Sequence, residues 1–190
     1  MNNPPLRLAN QFLIAMPELR DPNFFHGVTY LCEHNEQGAM GLMINRPLDI
    51  TMGEVLRQMN IDTDNVDASV LRQPIFLGGP VQCERGFVLH RPHGNWEVTM
   101  KITDEIGVTS SRDIIEAIAR GEGPEQCLIT LGYAGWGPGQ LERELAENAW
   151  LNVEAHERIL FEVAHEQRWE AAAALGGVDL HRLSAQIGHA

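Results

Sequence analysis

Apolar residues fall along this chain in short runs broken by Gly, Pro, Asn and Asp, a spacing that favours strands over long helices. Phe12-Leu13-Ile14-Ala15-Met16 has the form of a buried strand stopped by Pro17, and Asp21-Pro22-Asn23 marks a turn after a loose start over residues 1–11. Residues 28–32 are rich in β-formers. The Glu36-Gln37-Gly38 turn separates them from residues 39–45, and the pair predicts a β-hairpin. Thr51-Met52-Gly53-Glu54 fits a capping box, with Val55, Leu56 and Met59 continuing a short amphipathic helix. Residues 60–73, polar and acidic, predict a surface loop. Strands follow over 75–77, 86–90 and 96–102.

A second capping signal, Ser110-Ser111-Arg112-Asp113, precedes Ile114, Ile115 and Ile118 at helical spacing, with a stop at Gly121. Ser110 is the expected cap. Residues 127–133 predict another strand, which runs through a glycine-rich turn into a helix over 140–148. A last strand is expected over 150–153, then a helical tail over 156–175 and 179–187. Strands interspersed with helices, with hairpin signals early, favour an α+β fold over a doubly wound sheet.

Composition narrows the function classes. The 190 residues suit one domain spanning 1–190, and the formal net charge is -12. Lys101 is the only lysine. Nucleic-acid affinity comes largely from neutralising phosphates with Lys and Arg, so direct nucleic-acid binding is disfavoured. Cys32, Cys83 and Cys127 form no C-x-x-C pair, which argues against zinc ribbons and thioredoxin-like centres. The N-terminus lacks a charged segment followed by an apolar one, and no run approaches the ~20 residues of a membrane span. A cytoplasmic protein with reduced thiols, away from membranes, is the expectation.

Candidate chemistry is sparse. Gly135-x-Gly137-x-Gly139 lies between a strand and a helix, where phosphate loops occur, but Gln140 stands where the third glycine of G-x-G-x-x-G belongs. A glycine turn presenting a partly exposed Trp136 is the better reading, and it suits recognition of a peptide or small molecule. Cys32 and His34, two apart on a strand, are expected on one face. A metal there needs a further ligand, for which His26, His90 and His93 are the candidates. A redox-responsive Cys32 is a further option, set against a buried thiol beside a surface histidine. Asp113 suits the first turn of its helix whereas Arg112 does not, which marks Arg112 as a candidate site residue. Arg46, beside Asn45 at a strand end, can hold a carboxylate or phosphate or pair with an acidic neighbour. The C-terminal helix pair around Gly176-Gly177 offers Arg182 among His181, Ser184, Gln186 and His189, too little charge for a recognition helix.

Several runs together carry a family resemblance. They are Phe12-Leu13-Ile14-Ala15-Met16-Pro17, Cys32-Glu33-His34, Gly38-Ala39-Met40-Gly41-Leu42, Ile44-Asn45-Arg46-Pro47, Gly78-Gly79-Pro80-Val81 and Arg85-Gly86-Phe87-Val88-Leu89-His90. Ser110-Ser111-Arg112-Asp113, Gly132-Tyr133-Ala134-Gly135-Trp136-Gly137 and Gln140-Leu141-Glu142 complete the set. Across residues 6–180 the chain resembles the AlgH/YqgE family of bacterial proteins. The resemblance implies one α+β domain with a bifurcated, mostly antiparallel sheet folded into a pseudo-barrel and flanked by helices. It implies no particular chemistry, catalytic residue or cofactor, although some members carry the label of transcriptional regulator.

The expectation is therefore a non-enzymatic binding or regulatory protein acting through a protein partner or small effector, with no cofactor and no metal. Asn45, Arg46, Arg112, Asp113, Trp136, Gln140 and Glu142 are its candidate site, since they end strands or open helices. The rivals are an enzyme with Glu142 or Asp113 as acid/base and Arg46 or Arg112 holding an anion, and a thiol switch at Cys32. Oligomeric state stays open.

Overall fold

The computed structural model describes residues 7–187, with side chains as far as Leu183. Residues 1–6 of the expected loose start lie outside the described residues, as do the side chains of Ser184, Gln186 and His189. The early apolar runs are strands β1 (Gln11–Ala15), β2 (Val28–Asn35) and β3 (Gly38–Met43). β2 and β3 make the expected hairpin, with Asn35 opposite Gly38. A short strand absent from the pattern-based expectation, β4 (Pro47–Thr51), leads into α1 (Met52–Gln58). The Thr51 N–H donates to Glu54 Oε2 at 2.8 Å, one half of the predicted capping box. The acidic 60–73 segment holds one further turn of helix, α2 (Ala68–Leu71).

β5 (Pro74–Leu77), β6 (Val81–Arg91), β7 (Thr99–Lys101) and β8 (Gly107–Thr109) follow. The strand expected over 96–102 is shorter because Trp96 leaves it to pack into the core. α3 (Arg112–Ala119) has Ser111, not Ser110, as its N-cap residue. β9 (Gln126–Trp136) outruns the predicted strand, so the glycine-rich turn shrinks to Gly137-Pro138-Gly139 before α4 (Gln140–Ala146). After β10 (Trp150–Glu154), the tail is not one helix over 156–175. It divides into α5 (Glu157–Phe161), a 3-10 turn at His165–Gln167 and α6 (Arg168–Leu175), before α7 (Leu180–Ile187). The break frees the Val163 carbonyl, which accepts from Arg168 Nε at 3.0 Å.

The sheet runs β10-β1-β2-β3-β9-β6-β8-β7 and forks at β9. One edge of β9 pairs with β6. Its other edge takes parallel β5 along Ile129–Leu131 and antiparallel β3 along Ala134–Trp136. β4 pairs with β5 on the short branch. Gly78 and Gly79 cross β9 at the fork, where a Cβ on Gly79 would lie 2.1 Å from the Tyr133 carbonyl carbon. Only glycine permits that approach. The fold is α+β, a bifurcated and mostly antiparallel sheet curled into a half-barrel with flanking helices.

Three cores follow from this curl. Inside it, Phe12, Tyr30 and Leu42 meet Leu89 and Val108, closed by Ile159 and Leu160 of α5 and Ala172 of α6. On the outer face of β6 and β9, α1 and α3 bury Leu56, Ile114 and Ile118. On the outer face of the other wing, Leu13 and Leu31 pack with Trp136, Leu141 and Trp150. Each fully buried aliphatic contributes about 1.5–3 kcal/mol by leaving water.

Candidate functional site

The seven residues named from sequence have distinct surroundings. Asn45 accepts the Val28 N–H at 2.9 Å and donates to the His26 carbonyl at 2.9 Å. Arg46 donates Nη1 to the Pro22 and Asn23 carbonyls at 3.1 and 2.6 Å, and Nη2 to that of Phe25 at 2.7 Å. Together they clip the 22–26 segment to the end of β3. They also line an open cleft of about 510 Å³ with His26, His165 and Trp169.

Trp136 is buried rather than partly exposed. It stacks on Phe24 at 6.1 Å and meets Trp150 edge-on at 6.0 Å. Gln140 Oε1 accepts the Gly137 N–H at 3.0 Å, so this turn spends that donor internally rather than on a phosphate. Glu142 accepts from His34 Nε2. The Leu8 N–H donates to His34 Nδ1 at 3.1 Å, which places the ring proton on Nε2. His34 is buried, not the surface histidine expected. A β-bulge between Leu31 and Glu33 breaks the alternation of β2. It sends Cys32 into the inner core while His34 reaches α4.

Cys32 donates to the Tyr30 carbonyl at 3.7 Å, and burial together with Glu33 pushes its thiol well up. That environment opposes the thiolate a redox switch needs. Neither proposed acid/base carboxylate is raised. Burial would lift Asp113, but bonds from Ser111 and from the Glu97 and Ile114 N–H groups outweigh it and hold it low. For Glu142 burial is likewise outweighed, by its backbone and by His34 and Arg143.

Arg112 stands apart from the others. Its Nε bonds Glu116 Oε1 at 2.6 Å, and its two Nη groups have no partner among the described residues. Arg112 lies between two clefts, one of about 620 Å³ lined with Asp62, Glu116 and Glu122, and one of about 380 Å³ between α1 and α3. Val55 and Met59 of α1, Ile115 of α3 and Phe87, Ile129 and Leu131 of the sheet make the latter apolar. Ser110, displaced from the capping role, lines it as well; its N–H donates to the Val98 carbonyl at 3.1 Å, and its hydroxyl has no partner among the described residues. Ser111 instead uses its hydroxyl on the Val98 N–H and Asp113. Arg46, Arg112 and Trp136 thus line different clefts.

The cleft owes its wall to an irregular strand. Val81 faces Tyr133, but Gly86 already faces Leu131, so β6 spends five steps where β9 spends two. The surplus loops out as Gln82–Arg85, with Gln82 at φ 47 and Glu84 over the cleft. Beyond it, buried His90 fixes the floor. Its Nδ1 donates to the Pro92 carbonyl at 2.8 Å, and Nε2 accepts the Thr109 hydroxyl at 2.7 Å, which in turn accepts from Thr99. Sequence singled out His90 only as a third metal ligand, and no cluster able to hold a metal occurs among the described residues.

A protein family described as AlgH-like (DUF179) matches residues 12–181. The chain belongs to the AlgH-like family. It is 59% identical over 181 residues to a UPF0301 protein of Nitrosococcus oceani, covering 95% of this chain and 96% of that one. It is also 59% identical over 182 residues to one from Thioalkalivibrio sulfidiphilus, covering 96% of each. The solution structure of the AlgH protein from Pseudomonas aeruginosa superposes with a TM-score of 0.80 at 49% identity, covering 100% of both chains. A crystal structure from Corynebacterium diphtheriae, 18% identical with a TM-score of 0.69 over 90% of this chain and 86% of that one, shares the fold. No helix among the described residues of this AlgH-like chain is long and apolar enough to cross a membrane.

Proposed function

We propose that this AlgH-like protein is a non-enzymatic, cytoplasmic binding protein that takes a small effector in the cleft between α1 and α3 and signals its presence to a protein partner. The observation that carries this reading is an apolar cleft bordered by polar groups with no partner among the described residues, the Ser110 hydroxyl and the Arg112 Nη atoms. Small-molecule sites combine an apolar lining with a few such groups, in volumes of roughly 300–1,000 Å³. The lowered Asp113 and Glu142 carboxylates favour binding over acid/base catalysis, which works best with a carboxyl raised towards neutrality.

A neutral, environment-sensitive dye tests it. Nile red is expected to bind the full-length protein saturably at one site. Gly86→Phe is expected to abolish this, because a Cβ on Gly86 meets only Leu131 Cδ2 at 3.8 Å and the Thr130 carbonyl at 4.0 Å, so the ring can fill the cleft. Circular dichroism should show that variant folded. Absence of saturable binding to the natural protein would sink the reading.

A further inference from the structure

The α3 end of the cleft offers an unusual combination. Arg112 opens α3, where the helix field disfavours a cation, and its ion pair with Glu116 is half-exposed and of the kind worth little. Stability gives little reason for an arginine there. That pair occupies Nε alone, so the terminal edge of the guanidinium, which can grip two oxygens at once, has no partner among the described residues. The Ser110 hydroxyl just before α3 is a second donor with no partner among the described residues.

The carboxylates nearby do not cancel this edge equally. Asp113 accepts from the Glu97 and Ile114 N–H groups and the Ser111 hydroxyl, Glu116 is committed to Nε, and Asp62 and Glu122 line the other cleft that Arg112 borders. Glu84 belongs to the looped-out segment of β6 rather than to the α3 end. Phe87, Ile115 and Leu131 give the same cleft an apolar lining.

Resting on the reading of this cleft as a binding site, we infer that its ligand is an amphiphile with a carboxylate head, the head on Arg112 Nη and Ser110 Oγ and the apolar body over Phe87 and Leu131. The head completes the open guanidinium edge, and the body covers a floor that water solvates poorly.

Competition against Nile red separates this from its rivals, using decanoate, decanol and decylammonium at about pH 7, where a carboxylate is ionised. Decanoate is expected to displace the dye at about tenfold lower concentration than decanol, equivalent to about 1.4 kcal/mol. Arg112→Gln should bring decanoate to the level of decanol when both are compared at that variant's own dye affinity, and Ser110→Ala should remove part of the preference. Equal displacement by decanoate and decanol, or a preference that survives Arg112→Gln, overturns the inference. So does tightest binding of decylammonium with loss in Glu84→Gln, which would assign the head to the wall. If the dye binds and is lost in Gly86→Phe but no amphiphile displaces it, the head-group inference fails while the cleft stands. If the dye itself does not bind, both fall.

Discussion

Arg168 carries a charge at 7% exposure with no carboxylate bonded to it among the described residues. Its guanidinium donates to the Val163 and Ile44 carbonyls and lies 5.3 Å over the Phe76 ring, so one side chain joins the helical tail to the end of β3 and to β5. Burial pushes it down to about 10, which still leaves it charged at neutral pH. Arg168→Met keeps the stem but strands two carbonyls, and is expected to cost about 2–4 kcal/mol in urea unfolding. Arg168→Lys should recover less than half, because an ammonium cannot reproduce the fork. His90 behaves differently. Burial holds it below its ordinary 6.5, so the unfolded chain takes the proton first as pH falls. The contribution is present in full above that value and is lost on acidification. The urea midpoint should therefore fall between about pH 7 and pH 5, and less steeply in His90→Gln. The slope is reduced rather than abolished, because burial lowers His26 too.

Among the elements, those with a local signal were legible: the hairpin of β2 and β3, the capping box of α1, and the glycine stop after α3. β4 was missed although Leu48 and Ile50 alternate with polar neighbours, because Pro47 and its short length mask the period. The two bulges were not legible. An extra residue in β2 or β6 exists only relative to the strand it faces, and no local pattern records that partner. The cleft wall and the separation of Cys32 from His34 both depend on such bulges. The candidate site shows the same limit. Arg112 was singled out by a local conflict with its helix, whereas Asn45 and Arg46 bond backbone carbonyls about two dozen positions upstream or nearer, which side-chain types do not announce. The clip gives an element-level prediction. Arg46→Ala should release the 22–25 segment and raise its cleavage rate in limited proteolysis by about tenfold, with the hairpin intact. Unchanged cleavage there would mean that the Arg46 bonds do not hold the segment.

For the whole molecule, charge and its placement decide which partners are open to it. The net charge is -12, and about half of the fourteen Lys and Arg side chains are paired or turned inward. Arg91 lies between Glu105 and Glu157, Lys101 beside Asp104, Arg120 beside Glu122 and Arg182 beside Asp179. Arg46 and Arg168 are turned onto backbone carbonyls. A DNA-binding face requires several Lys or Arg free to displace counterions along one side, because each phosphate neutralised adds to the affinity and to its salt dependence. The same negative field repels a polyanion at distances of about a Debye length, roughly 10 Å at about 0.1 M salt. We therefore expect fluorescence anisotropy of a labelled duplex to stay flat on titration with the full-length protein, even at about 50 mM salt, where electrostatic binding is strongest. Saturable binding that weakens steeply with added salt would overturn this expectation. A flat response would direct the search for a regulatory role towards protein partners and the ligand of the α1–α3 cleft.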